Sequence, residues 1–240
     1  MGPEGPAGAP TTPPLGEGLR SAAVELAVVL VGLVLLGWAT GVLVVHVFAA
    51  PVRHRLDVPV NRWFFHHRTA GTARVMALVT RAGSERGALA GAVVIGGMWS
   101  WLTRRLGPAR ALAAAYGGAA VIAYAVKVAV GRGRHRNVGL FASAAHLGYP
   151  SGHATLAAAV YGTAGLLLAR RVRTPTRRAA AAACFALAVV VGFSRLYLGR
   201  HYLSDVIAGT ALGGLWAVAL TRTNPRRRGN RRAATSGPER

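Results

Sequence analysis

Seven acidic residues, one lysine and one cysteine are all that this 240-residue chain holds of those types. The lone Cys184 rules out an intramolecular disulfide and any cysteine-based metal site. It sits in an apolar run, where a cysteine serves as a small buried hydrophobe. The seven carboxylates are scattered, so they cannot cage two divalent cations, and no metal or other cofactor is expected. Charged residues make up 15% of the chain against 52% hydrophobic ones, a balance that excludes an ordinary soluble domain. Of 29 basic residues, 28 are arginine; the single lysine is Lys127. The resulting formal charge of +22 could suggest nucleic acid. The arginines instead fall between apolar runs, where membrane topology puts them, so nucleic acid is not the expected partner.

Long apolar runs are abundant. Leu26 to Val45 is an uncharged stretch of twenty residues, enough to cross a bilayer and too long for the core of a signal peptide. With its flanks it gives a first span over 22–49. Five more runs follow at 87–103, 109–128, 153–170, 179–198 and 202–221. Arginines or polar residues end most of them, where long side chains snorkel to the interface. Glycines recur within the runs and permit close contact between helices. The chain therefore reads as an all-α, integral-membrane bundle of six transmembrane helices over residues 21–222. Residues 1–20, rich in Gly and Pro, and the Arg-rich 223–240 are expected to be disordered. Residues 51–86 are basic, with a Trp63-Phe64-Phe65 cluster, and read as a loop with an amphipathic segment in the interface. Asp57, Glu85 and those aromatics are assigned interfacial anchoring and no chemistry.

Three short segments carry chemistry. In the first, Ser194-Arg195 is followed by His201 and Asp205. On a helix, positions i and i+4 share a face, so Asp205 can accept a proton from one ring nitrogen of His201 and leave the other for attack. An aspartate at the mouth of an apolar span is costly and usually functional. Arg195 adds a fixed cation suited to phosphate oxygens. The second segment is Pro150-Ser151-Gly152-His153, at the start of the fourth run. A helix start offers unpaired N–H groups and a positive dipole end to an anion; Ser151 adds a hydroxyl, and Gly152 allows close backbone approach. The third is Lys127, followed seven residues later by Arg134.

Together these segments resemble the type 2 phosphatidic acid phosphatase superfamily, with its ordered pattern K-x6-R-P, P-S-G-H and S-R-x5-H-x3-D. The second and third elements match fully; in the first, His135 stands where the family has proline. The motif core runs from Lys127 to Asp205, and the hydrophobic layout extends the likeness over residues 85–221. The resemblance implies a metal-independent hydrolase of lipid phosphates. It implies His201 as the nucleophile that forms a phosphohistidine, Asp205 as the holder of its tautomer and His153 as the general acid. Lys127, Arg134, Ser151, Gly152 and Arg195 would bind the phosphate, with Ser194 adding a hydrogen bond. Arg132, Arg136, Arg200 and His146 are read as solvated interfacial groups.

The implied substrate is a lipid phosphate monoester or a polyprenyl diphosphate, presented within membrane lipids. The motifs bind a terminal phosphate in both cases. A transporter would explain charge inside the membrane but not the spacing of the third element. Vanadium haloperoxidases share a related pocket but are soluble. Six spans put both motif-bearing connections on one membrane face. The other face holds 16 of the 29 basic residues, and three of the remaining 13 are motif residues. That bias favours cytoplasmic termini and an extracytoplasmic site in the cell membrane, although the basic 51–86 segment pulls the other way.

Overall fold

A computed structural model describes residues 15–132, 148–170 and 174–223. It is helical throughout, with no strand among the described residues. In chain order the helices are α1 Leu15–Val42, α2 Ala49–Val52, α3 Val58–His66, α4 Ala70–Val79, α5 Glu85–Thr103, α6 Gly107–Val130, α7 Gly152–Ala169, α8 Pro175–Tyr197 and α9 Leu203–Arg222. Short π-helical turns at Leu43–Val47 and Arg53–Asp57 interrupt the path from α1 to α3. Leu15–Arg20, expected in the N-terminal tail, form the first turns of α1. The rest of that tail, and 224–240, lie outside the described residues.

The six long helices coincide with the six apolar runs. Five of them are long and apolar enough to cross a membrane; α5 is the exception. Glu85 and Arg86 in its first turn, with its glycines and tryptophans, dilute its apolar character. Local chemistry sets the ends. Ser84 caps α5 by accepting from the Gly87 N–H at 3.1 Å, and Thr174 caps α8 with Pro175 in the first turn. α6 stops at Gly131, whose φ of +66° lets its N–H return to the Lys127 carbonyl.

α7 is the central helix. Twelve of its 18 residues are buried, most of them Ala, Gly or Thr. It packs most heavily on α9 and α8, then on α6. Small residues make the α7–α9 approach close. A Cβ built on Gly209 would lie 2.6 Å from the Ser151 carbonyl oxygen, and one on Gly213 would collide with the Thr155 carbonyl. At the far end Arg170 donates to the Thr221 carbonyl. The outward faces of α1, α5 and α6 expose large apolar side chains such as Val28, Leu35, Val93, Trp101 and Val128, as contact with lipid tails requires.

The segment between α1 and α5 is helical and lies over one end of the bundle. Phe64 is buried against α8, while its neighbours Trp63 and Phe65 stay exposed. The Thr69 N–H donates to the Tyr197 hydroxyl at 3.1 Å, and the Tyr161 hydroxyl donates to the Ala82 carbonyl at 2.9 Å. Gly83 fits into the angle between Val191 and the backbone of His153.

The tight α7–α9 contact gives a test. Gly213→Ala places a methyl group against backbone and should cost about 1–3 kcal/mol, read as a lower thermal midpoint in detergent. Gly214→Ala, whose Cβ would meet nothing within 4 Å, should leave the midpoint unchanged. Equal midpoints for the two variants would mean that α7 and α9 separate at no cost.

Candidate active site

The motif residues converge on one end of the bundle. The C-terminal ends of α6 and α8 meet the N-terminal ends of α7 and α9 there. Those two N-termini bring positive dipole ends and first-turn N–H groups to the same place.

Asp205 lies in the first turn of α9 and is 1% exposed; His201 is buried beside it. The His201 Nδ1 and Asp205 Oδ2 atoms are 3.4 Å apart. The i, i+4 spacing predicts both residues on one helix face. In fact His201 precedes α9, in the turn that leaves α8. Gly199, with φ of +64°, bends that turn, and the N–H groups of Arg200 and His201 both donate to the Arg195 carbonyl. The pairing across four residues survives because Asp205 folds back: its Oδ2 also accepts the Tyr202 N–H at 3.0 Å.

The Ser151 N–H donates to the Asp205 carbonyl at 2.9 Å, which staples the start of α7 to the start of α9. The Ser151 side chain is fully buried, and its Oγ has no hydrogen-bond partner among the described residues. A buried hydroxyl in that condition at a helix N-terminus is suited to a bound anion. The Lys127 side chain runs past the same turn: a Cβ on Gly152 would lie 3.6 Å from the Lys127 Cε. His153 follows, half-buried in the first turn of α7. On α8, Arg195 is buried and donates from Nη1 to the Thr80 Oγ1 at 2.9 Å. Ser194 is also buried, and its hydroxyl donates to the Val191 carbonyl of its own helix at 2.6 Å. Arg134 and His135 lie outside the described residues, as do Arg136 and His146.

α1 and the π-helical turn after it are tied to this end by one bond each. The hydroxyls of Thr40 and Tyr149 are 3.0 Å apart, and the His46 Nε2 is 3.2 Å from the Val130 carbonyl oxygen. Burial raises the Tyr149 phenol above its ordinary pKa, so it remains a neutral hydrogen-bonding group.

Two residues that the sequence reading set aside belong here. Asp57, expected to anchor at the interface, is 0% exposed. Its Oδ1 accepts the Ser204 N–H at 2.9 Å, and its Oδ2 accepts the Ser204 hydroxyl at 2.8 Å. Arg132, expected to be solvated, bridges two carboxylates. Its Nη2 lies 3.1 Å from the Asp57 Oδ2, and its Nη1 lies 2.7 Å from the Asp205 Oδ1. Nη1 also reaches the Ser204 Oγ at 3.0 Å, and the guanidinium stacks 4.5 Å over the Tyr202 ring. One signal was available: the chain has only two aspartates, and both end on this arginine. No group of three or more His, Cys, Asp or Glu side chains among the described residues could hold a metal ion.

The chain is similar to known proteins in sequence and in fold. Over 110 residues, 42% of this chain, it is 37% identical to lipid A 1-phosphatase of Rhizobium etli, across 43% of that protein. Phosphatidylglycerophosphatase B of Bacillus subtilis is 37% identical over 67 residues, 27% of this chain and 33% of that protein. The chain thus matches less than half the length of these curated relatives. In three dimensions it resembles the crystal structure of a transmembrane PAP2-type phosphatidylglycerolphosphate phosphatase from B. subtilis. The TM-score is 0.67 at 22% identity, over 82% of this chain and 94% of that one. That likeness carries the fold. Residues 108–229, half of the chain and every motif position, match the PAP2 superfamily, and the chain belongs to it.

Proposed function

We propose that this chain is a membrane-embedded phosphatase that hydrolyses a lipid phosphate through a phosphohistidine on His201. The observation that carries the reading is the buried His201–Asp205 contact, set beside the unpartnered Ser151 hydroxyl at the start of α7. The names of the relatives support a phosphate carried on a lipid. The apolar outer faces leave room for the lipid tail in the bilayer while the headgroup meets the helix ends.

The reaction runs in two displacements. Asp205 accepts the Nδ1–H of His201, which directs the lone pair of Nε2 at phosphorus. The P–N bond forms as the P–O bond to the lipid breaks, and His153 gives its proton to the departing alkoxide. Water then attacks phosphorus and yields a proton to His153. The P–N bond breaks, and inorganic phosphate leaves with His201 restored. Negative charge spreads over the equatorial oxygens in both steps. Lys127, Arg134 and Arg195, the Ser151 hydroxyl and the first-turn N–H groups of α7 stabilise it. Ser194 supports the turn from within α8, since its hydroxyl is spent on the Val191 carbonyl. No divalent cation is needed in this scheme: the two carboxylates at the site, Asp57 and Asp205, are both engaged by Arg132.

The site faces away from the cytoplasm in this reading, in the cell membrane. Arg104, Arg105 and Arg110 at the α5–α6 turn, Arg170, Arg177 and Arg178 at the α7–α8 turn, and Arg222 all lie at the opposite end, as the positive-inside bias expects.

The central test is phosphate release by purified protein in EDTA, with phosphatidic acid and a polyprenyl diphosphate assayed side by side. Full turnover should persist under chelation. His201→Ala should reduce it by about 10³-fold or more, and His153→Ala by about 10²–10⁴-fold. The preferred lipid names the substrate class. Loss of turnover in EDTA, or an active His201→Ala variant, would sink the mechanism.

Orientation is checked separately in a Cys184→Ala background. Leu106→Cys, at the α5–α6 turn, should react with an impermeant maleimide only after the membrane is opened. Labelling of intact cells would reverse the assignment.

A further inference from the structure

We infer that Asp57 and Arg132 are positioning residues for the reaction, acting through Asp205 on His201. This rests on the reading of His201 as the nucleophile.

Geometry comes first. Asp205 must present Oδ2 to the imidazole and keep it there. Its other oxygen, Oδ1, is held by the Arg132 Nη1 at 2.7 Å. A guanidinium is a rigid planar fork, so fixing one arm fixes the other. The second arm is fixed by Asp57 at 3.1 Å, and Asp57 is fixed in turn by the backbone and hydroxyl of Ser204, the residue before Asp205. Stacking on Tyr202 holds the guanidinium plane from one side. The chain of contacts closes on itself: Asp57 to Ser204, Ser204 to Asp205 through the backbone, Asp205 to Arg132, and Arg132 back to Asp57. A closed ring of hydrogen bonds between groups with little solvent access cannot shift one member without breaking another.

Charge comes second. As Nε2 bonds to phosphorus, the imidazole ring becomes cationic, and Asp205 lowers the energy of that state. An arginine 2.7 Å behind Asp205 would, by itself, cancel much of this effect. Asp57 offsets the arginine. The three groups together carry one net negative charge, next to the ring that turns positive. Arg132 can therefore orient Asp205 without neutralising it. Nothing about a structural ion pair requires a second, fully buried carboxylate on the same arginine, because each buried charge adds a desolvation cost.

The test compares wild type, Asp57→Asn, Asp205→Asn and the double variant for kcat and KM on one lipid phosphate. Asparagine keeps the shape of Asp57 and an acceptor for Ser204, and it removes the charge. Asp57→Asn should lower kcat about 10- to 100-fold, the size usual when an orienting partner is lost, with KM within about threefold. In the Asp205→Asn background, whose residual turnover sets the baseline, the same change should cost less than about threefold, because the residue it acts through is already gone. Equal losses in both backgrounds would mean that Asp57 serves folding alone and would overturn the inference, as would a kcat equal to wild type. Should Asp57→Asn not fold, Arg132→Lys retains the charge and removes the fork. It should show the same loss in kcat at near-constant KM, and wild-type turnover there would overturn the inference. A folded wild-type protein that releases no phosphate would defeat the His201 reading itself, which separates that failure from an active enzyme indifferent to Asp57.

Discussion

Arg132 stands between two buried carboxylates that come from distant parts of the chain, and the functional end of the molecule is organised around it. A guanidinium with little solvent access needs partners with good geometry, because desolvation of an ion costs several kcal/mol. Here the partners are Asp57, from the π-helical turn before α3, and Asp205, from the first turn of α9. Meeting that requirement sets where the 49–67 segment docks, where α9 begins and where Arg132 sits beyond the end of α6. The orientation of His201 follows from that of Asp205.

The second constraint is steric. The starts of α7 and α9 lie close together, and ordinary side chains would hold them apart. Alanine and threonine on α7, with Gly209 and Gly213 on α9, remove the obstacle. The Ser151 N–H then reaches the Asp205 carbonyl, so the first turns of α7 and α9 share a hydrogen bond. Electrostatic and steric requirements are met by different residues, one at the bundle's end and one along its axis.

Much of this was legible in the sequence, for identifiable reasons. Apolar runs bounded by arginine declare membrane helices, because a bilayer demands some twenty apolar residues in a row. His201 and Asp205 could be paired because a local spacing brings them together, even though the intervening residues form a turn and a cap where a helix was expected. For Asp57 the sequence offered its rarity but no partner. Its partner Ser204 lies far along the chain, and no period in the sequence reports a contact of that range. Arg132 was hidden differently, inside the spacer between Lys127 and Arg134, among many other arginines that are solvated. The α1–α5 segment was misread as mostly loop because Pro51 and Pro59, with many basic residues, obscure the helical period; the prolines sit near helix starts, where they are tolerated. The glycines within the apolar runs announced close packing but not which helices meet, since glycine is equally suited to any neighbour.

The composition of that α7–α9 interface has an entropic consequence. Alanine and glycine have no side-chain rotamers to freeze, so bringing these two helices together sacrifices almost no side-chain freedom, whereas an interface of leucine and methionine would lose some at every position. What α7 and α9 gain in backbone proximity is therefore retained nearly in full. The same absence of rotamers leaves the interface no alternative packings of similar energy. The groups at its end inherit a fixed separation from residues too small to rearrange.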